Sequence, residues 1–155
     1  MIKLVRLDYR LLHGQVVFAW TGHIKAQRII IIDDFAYIDK IKKTALKLSN
    51  PPGVKLNIFS LEVAISKVDK ILGLNENIML IFGNTNALKN FIRFCPEIKE
   101  VNYGGLANKE GKKKFSSAIF MNDSEIRDTK EILESGVRIF VQQTPSVSIE
   151  ALDIN

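Results

Sequence analysis

The chain contains two histidines, and one of them, His13, stands in its densest polar cluster, Arg6-Leu7-Asp8-Tyr9-Arg10-Leu11-Leu12-His13-Gly14-Gln15-Val16. An imidazole can act as a nucleophile, a general base or a metal ligand, and its neighbours decide which. Here the neighbours suit an anion. Arg10 offers a forked guanidinium that matches a phosphoryl group, and Arg6 does the same if the end of its strand turns it inward. Asp8 can accept the other ring N–H and so select the tautomer. His13 directly precedes Gly14 and an apolar helical run from Val16 to Trp20, which places it at a helix N-terminus, where free N–H groups and the helix dipole favour negative charge. Gly14 lets backbone approach a ligand closely. A nucleophilic histidine beside an arginine and a helix N-terminus is equipped to accept a phosphoryl group, because that transfer needs mainly positioning and charge stabilisation. The plainer alternatives are a loop histidine satisfied by backbone and an exposed Arg10–Asp8 ion pair.

Other reactive types carry less. His23 follows Gly22 near the end of the first helix, where a cationic ring suits the dipole. His13 and His23 have no further histidine to join them, no His-Glu-x-x-His pattern occurs, and Cys95 is the single cysteine, so neither a metal site nor a disulfide is expected. Cys95 itself, in Arg93-Phe94-Cys95-Pro96, reads as a core residue at a helix end. Trp20, with Val16, Val17 and Phe18, reads as the buried side of the first helix. No bound cofactor is implied.

The elements that must position the cluster follow from apolar periodicity. Short β-branched runs alternate with segments of helical period, the pattern of an α/β domain with a mainly parallel sheet and helices on both faces. About seven strands are expected: Ile2–Asp8, Arg28–Asp33, Val54–Phe59, Ile78–Phe82, Glu100–Tyr103, Ser117–Met121 and Val137–Gln142. Helices are expected to begin near Gly14, Asp34, Ser60, Asn84 and Asp123, with capping oxygens at Asp33-Asp34, Ser60, Asn84-Thr85 and Asp123-Ser124. Asn50-Pro51-Pro52-Gly53 and Gly136 mark helix ends. Ligands gather at the carboxyl ends of parallel strands. That rule nominates the Asp8–Gly14 loop, Asp33-Asp34, Phe59-Ser60, Gly83-Asn84-Thr85, Tyr103-Gly104-Gly105 and Gln142-Gln143-Thr144-Pro145. Asp33 is expected on the rim or as a helix cap. Gly104 and Gly105 are expected to bring backbone close to a ligand or simply to form a tight turn.

A chain of 155 residues, 46% hydrophobic and 25% charged, is the size of one domain and excludes disorder and collagen-like architecture. No linker, low-complexity stretch or internal repeat divides it, so residues 1–155 are read as a single domain. The net charge of +5 permits acidic partners without choosing among them. Apolar runs stop far short of the roughly 20 residues of a membrane helix, and charges interrupt the N-terminus too often for a signal peptide, so the expected location is cytoplasmic. The basic run Asn108 to Lys114 is expected to be a solvated loop, with partner docking as its functional alternative. A nucleotide- or dinucleotide-binding module is the competing function on such a fold. Against it, there is no Gly-x-Gly-x-x-Gly after the first strand and no phosphate-binding Gly-x-x-x-x-Gly-Lys-Ser/Thr loop. Nor does any aromatic motif favour RNA, so no nucleic-acid partner is expected.

The motif Arg6-x-Asp8-x-Arg10-Leu11-x-His13-Gly14-Gln15-Val16, followed by Trp20 and Arg28-Ile29-Ile30-Ile31-Ile32-Asp33-Asp34, resembles the IIB component of the mannose/fructose/sorbose family of the bacterial phosphoenolpyruvate-dependent sugar phosphotransferase system. The likeness continues through Pro51-Pro52-Gly53-Val54-Lys55, Asn102-Tyr103-Gly104-Gly105 and Gly136 to Pro145, essentially the whole chain. The resemblance implies that His13 accepts a phosphoryl group, through a ring nitrogen taken to be Nδ1, from the phosphohistidine of a IIA component. It implies onward transfer to a sugar entering through the membrane components IIC and IID, hence peripheral association with that transporter. Which sugar is carried, and whether the protein forms a homo-oligomer, stay open. Two positions depart from the family pattern: Tyr9 stands where relatives commonly carry a second aspartate, and Gly83-Asn84-Thr85 replaces a proline-containing turn.

Overall fold

The computed structural model describes residues 1–154. Strand β1 (Ile2–Asp8) leads through α1 (Gly14–Ile24) to β2 (Arg28–Ile32), and then α2 (Asp34–Ile38) and α3 (Lys40–Ser49) lead to β3 (Lys55–Phe59). Two short helices, α4 (Leu61–Ser66) and α5 (Val68–Leu72), precede β4 (Ile78–Phe82), and α6 (Thr85–Phe94) precedes β5 (Glu100–Gly105). The chain finishes with β6 (Lys113–Ser116), β7 (Ile119–Met121), α7 (Asp123–Glu134) and β8 (Arg138–Val141).

Six strands form one parallel sheet in the order β3-β2-β4-β1-β5-β8. Of the seven expected strands, Ser117–Met121 does not join it. Residues 119–121 pair antiparallel with 113–116 as a separate hairpin, attached to the end of β5 through Leu106 and Ile119. The basic run is therefore not wholly a loop: its last two lysines enter β6, because Phe115 packs toward the core and draws the segment into extended backbone. The segment expected as one helix from Asp34 breaks at Asp39, which caps α3 by accepting from the N–H groups of Ile41 and Lys42. α7 is capped by Asn122, one residue earlier than expected, in a reciprocal box with Glu125.

Strand alternation sorts the core into two layers. Val5, Leu7, Ile30, Ile32, Leu80 and Phe82 face α4 to α7, whereas Leu4, Ile29, Ile31, Met79 and Ile81 face α1 to α3. In β1 this puts Arg6 and Asp8 on the α1 side with Leu4, between strands buried on both faces. The connection leaving β1 runs through α1 to β2 on one face, and the one leaving neighbouring β4 runs through α6 to β5 on the other. Their divergence opens a crevice at the carboxyl edge of the sheet, where the Asp8–Gly14 loop emerges.

Candidate functional site

Asp8 organises the site. Its carboxylate is inaccessible to solvent and takes Arg6 Nη2 on Oδ2 at 3.0 Å, Arg10 Nε on Oδ1 at 3.0 Å, Arg10 Nη2 on Oδ2 at 3.1 Å, and the Arg10 backbone N–H on Oδ1 at 3.0 Å. His13 Nε2 lies 3.2 Å from Oδ2. Burial pushes the Asp8 carboxyl upward, but the hydrogen bond from Arg10 and the charge of Arg6 outweigh it and hold the group below its ordinary value. An ionised carboxylate only accepts, so the contact requires a proton on His13 Nε2, and in the neutral ring the lone pair is then on Nδ1. The His13 pKa is itself lowered, first by burial and further by Arg10, against the opposing pull of Asp8. A ring about a quarter exposed, neutral at pH 7 and with Nδ1 unprotonated, is set up as a nucleophile.

The loop that carries His13 is held in an uncommon backbone shape. Leu11 sits at φ +62° and Gly14 at φ +45°. For leucine that region costs about 1–2 kcal/mol, offset by burying Leu11 and Leu12 against the α1-side core and by the hydrogen bond from Leu11 N–H to the Asp8 carbonyl. His13 is the N-cap residue of α1 but makes no side-chain cap, which leaves the first N–H groups of the helix free beside the ring.

Arg6 differs from its expected place on the rim. Strand alternation turns it inward, as the sequence allowed, but it is 3% exposed and lies beneath the surface. There it bonds Asp8, Asn102 Oδ1 and the Gln142 carbonyl and stacks 5.8 Å from the Trp20 ring centre. Gly104 and Gly105 are strand residues, not a turn, because β5 runs through Gly105. A Cβ on Gly104 would fall on the Arg6 guanidinium, and one on Gly105 would stand 2.9 Å from Arg10 Nη2. The glycines give the arginines room. Asp33 accepts from Ala36 N–H as the cap of α2, and it backs onto Gly83, where a Cβ would meet its carboxylate; this is the capping alternative.

The nominated Gln142-Gln143 segment and Asn102 supply partners whose individual contacts the sequence left open. With its amide oriented as its neighbours require, nitrogen toward the acceptor and oxygen toward the donor, Gln143 donates to the Gly104 carbonyl and accepts from Arg10 Nη2, each at 2.9 Å. Its own carbonyl accepts from the Trp20 indole at 2.9 Å, and Asn102 Nδ2 donates to the Gln142 carbonyl at 3.0 Å. Trp20 is buried, as its periodicity requires, but it also ties α1 to the end of β8. The available signal was position: Asn102 shares the Arg6 face across the β1–β5 register, and Gln142-Gln143 directly follows the last strand. Tyr9 is half-exposed, its ring 5.3 Å from the Arg10 guanidinium carbon. His23 stands edge-on to Trp20 and Cys95 is buried at the end of α6, both away from the cluster. Among the described residues no grouping of three or more His, Cys, Asp or Glu could hold a metal ion, and no helix is long and apolar enough to cross a membrane.

A parallel α/β domain that raises an arginine-flanked, neutral histidine at the carboxyl edge of its sheet has the geometry that a phosphoryl carrier needs. Residues 2–154 match the family model described as PTS system sorbose subfamily IIB component, and the chain belongs to that family of phosphotransferase components. It is 34% identical over 151 residues to the sorbose-specific EIIB component of Klebsiella pneumoniae, covering 96% of this chain and 92% of that protein. It is 30% identical over 143 residues to the mannose-specific EIIAB component of Escherichia coli K12, covering 92% of this chain but 44% of that longer protein, in which IIA and IIB are joined. Among solved structures, the IIBSor domain of the Klebsiella pneumoniae sorbose permease superimposes with a TM-score of 0.90 at 32% identity, covering 97% of this chain and 92% of that one. The N-acetylgalactosamine-specific IIB component 1 of Escherichia coli also gives 0.90, at 28% identity, covering 99% of this chain and all of that one.

Proposed function

We propose that His13 Nδ1 accepts a phosphoryl group from the phosphohistidine of a IIA component and passes it to a hydroxyl of a sugar presented by membrane IIC and IID components. The observation that carries this is the Asp8–His13 contact, which puts the proton on Nε2 and the lone pair on Nδ1. As the Nδ1–P bond forms, the bond from phosphorus to the donor nitrogen breaks, and positive charge grows on the accepting ring. Asp8 faces the N–H where that charge is best stabilised. Arg10 spends Nε and Nη2 on Asp8 and Gln143, which leaves Nη1, together with the N–H groups of the first turn of α1, to meet the transferring oxygens. Gly14 keeps that approach open. No cofactor enters the step.

Residues 2–154 then act as one IIB carrier domain at the cytoplasmic side of the transporter, meeting the membrane only through its partners and its own surface. The test is phosphoryl transfer from phosphoenolpyruvate through the general phosphotransferase proteins and a matched IIA component, read by intact mass. Wild type gains one acid-labile phosphoryl group and His13→Ala gains none. Arg10→Ala is slowed at single turnover by about 10²-fold or more, the scale of losing one charge-stabilising donor. An unmodified wild type beside an active donor, or a modified His13→Ala, refutes the assignment.

A further inference from the structure

The α1-side helices carry a surface that the phosphoryl site does not use. In α3, Leu46 is the residue turned to the core, while Ile41 and Leu48 are each 83% exposed and Ala45 between them is exposed as well. Positions 41, 45 and 48 stand at i, i+4 and i+7, within an arc of about 60° of the helix surface. The stripe therefore points away from the protein. Lys40 and Lys47 flank it on one side and Lys42 on the other, Lys43 lies behind over the Tyr37 ring, and α3 contains no acidic residue. At the preceding turn Ile38 is 75% and Phe35 61% exposed, which extends the apolar surface across the α2–α3 junction.

We propose that the outer face of α3 is a docking surface for an anionic lipid bilayer, with Ile41, Ala45 and Leu48 entering the headgroup boundary and Lys40, Lys42 and Lys47 meeting lipid phosphates. Charge complementarity selects the occupant: a second copy of this chain would bring lysines against lysines. The composition also separates lipid from protein. Specific protein interfaces concentrate Trp, Tyr and Arg and exclude Lys at their centre, whereas an aliphatic stripe edged by lysines is the pattern of a helix lying in a membrane interface. The surface is convex. Two cavities of the molecule open elsewhere, one at the amino-terminal edge of the sheet among Met1, Lys3 and Glu97 and one between α6 and α7, and neither includes α3. The other lysine-rich segment lacks an apolar companion, because Phe115 turns inward and Lys112 is engaged by Glu125 at 3.0 Å.

The experiment is co-sedimentation of the intact protein with vesicles of mixed phosphatidylglycerol and phosphatidylcholine, with pure phosphatidylcholine as comparison and added salt as a variable. Binding is expected to the anionic vesicles only and to fall with salt. Ile41→Asp/Leu48→Asp and Lys40→Glu/Lys47→Glu each weaken it by about tenfold or more, while urea midpoints stay at wild type because these side chains are exposed. His13→Ala binds vesicles normally, so failure of this proposal and failure of the phosphoryl assignment are separable. Absence of binding, equal binding to neutral vesicles, or loss on altering Lys109, Lys113 and Lys114 but not α3 each overturns it. Unchanged vesicle binding by α3 variants that slow phosphoryl acceptance from soluble IIA also overturns it and makes α3 a face for that protein.

Discussion

Asp8→Asn is the most demanding test of how the site is built, because one inaccessible carboxylate compensates two arginines. Arg6 is 3% exposed and bonds Asp8 at 3.0 Å, so removing the negative charge leaves a cation that cannot reach water. Breaking a buried pair from one side costs about 3–5 kcal/mol. Arg10, a third exposed, can rehydrate and adds little. The asparagine amide also presents donors where the arginines already donate, so relaxation does not recover the loss. The expected destabilisation is thus about 3–5 kcal/mol, a large share of a typical domain stability of about 5–15 kcal/mol. Urea unfolding at pH 7.5 measures it. A companion variant sharpens the argument: Arg6→Met/Asp8→Asn removes the orphaned cation together with its partner and is expected to be more stable than Asp8→Asn alone. A loss under about 1 kcal/mol, or a double variant no better than the single, refutes the view that Asp8 is the compensating charge of a buried pair.

Phosphoryl acceptance should rise with pH and level off with a midpoint below the ordinary histidine value, since His13 must be neutral to attack and its pKa is lowered; a single-turnover profile with a midpoint above about 6.5 contradicts this. The linked stability has the same sign: between the folded and unfolded His13 values the unfolded chain binds more protons, so this contribution is present above the unfolded value and is lost as pH falls through the window. It is checked by comparing urea midpoints of wild type and His13→Ala across pH. Gly104→Ala drives a methyl into the Arg6 guanidinium and is expected to cost about 1–3 kcal/mol in the same unfolding assay, whereas Gly22→Ala, with open space at its Cβ, costs none of that overpacking. Cys95, its thiol pushed up to about 11 by burial, should resist iodoacetamide at pH 8 in the folded protein and react once unfolded.

The cluster proposed as the phosphoryl site was legible because its members are close along the chain. Two-residue alternation places Arg6 and Asp8 on one strand face, and the Gly14 helix start places His13 at a helix N-terminus, all within local geometry. The strand and helix alternation likewise fixes an α/β layering, since each β-branched run needs both faces covered. The sequence's misjudgement of the sheet was non-local. Ser117–Met121 has the composition of a sheet strand, but the sheet edge beside β5 is taken by β8, so that segment pairs with β6 instead.

By itself, then, the sequence determined the chemistry on offer: a histidine, two arginines and a carboxylate on one strand-loop-helix unit, in a family recognisable along the whole chain. Only the tertiary structure decided how those groups divide the work. It buried Arg6 against Gly104, Asn102 and the Gln142 carbonyl, held Arg10 with Gln143 from the segment after the last strand, and brought His13 Nε2 within 3.2 Å of Asp8. The physical reason is that periodicity specifies which face a side chain occupies, while burial, proton placement and the partner of each donor depend on segments more than ninety residues away, β5 and the chain after β8, being folded back toward β1.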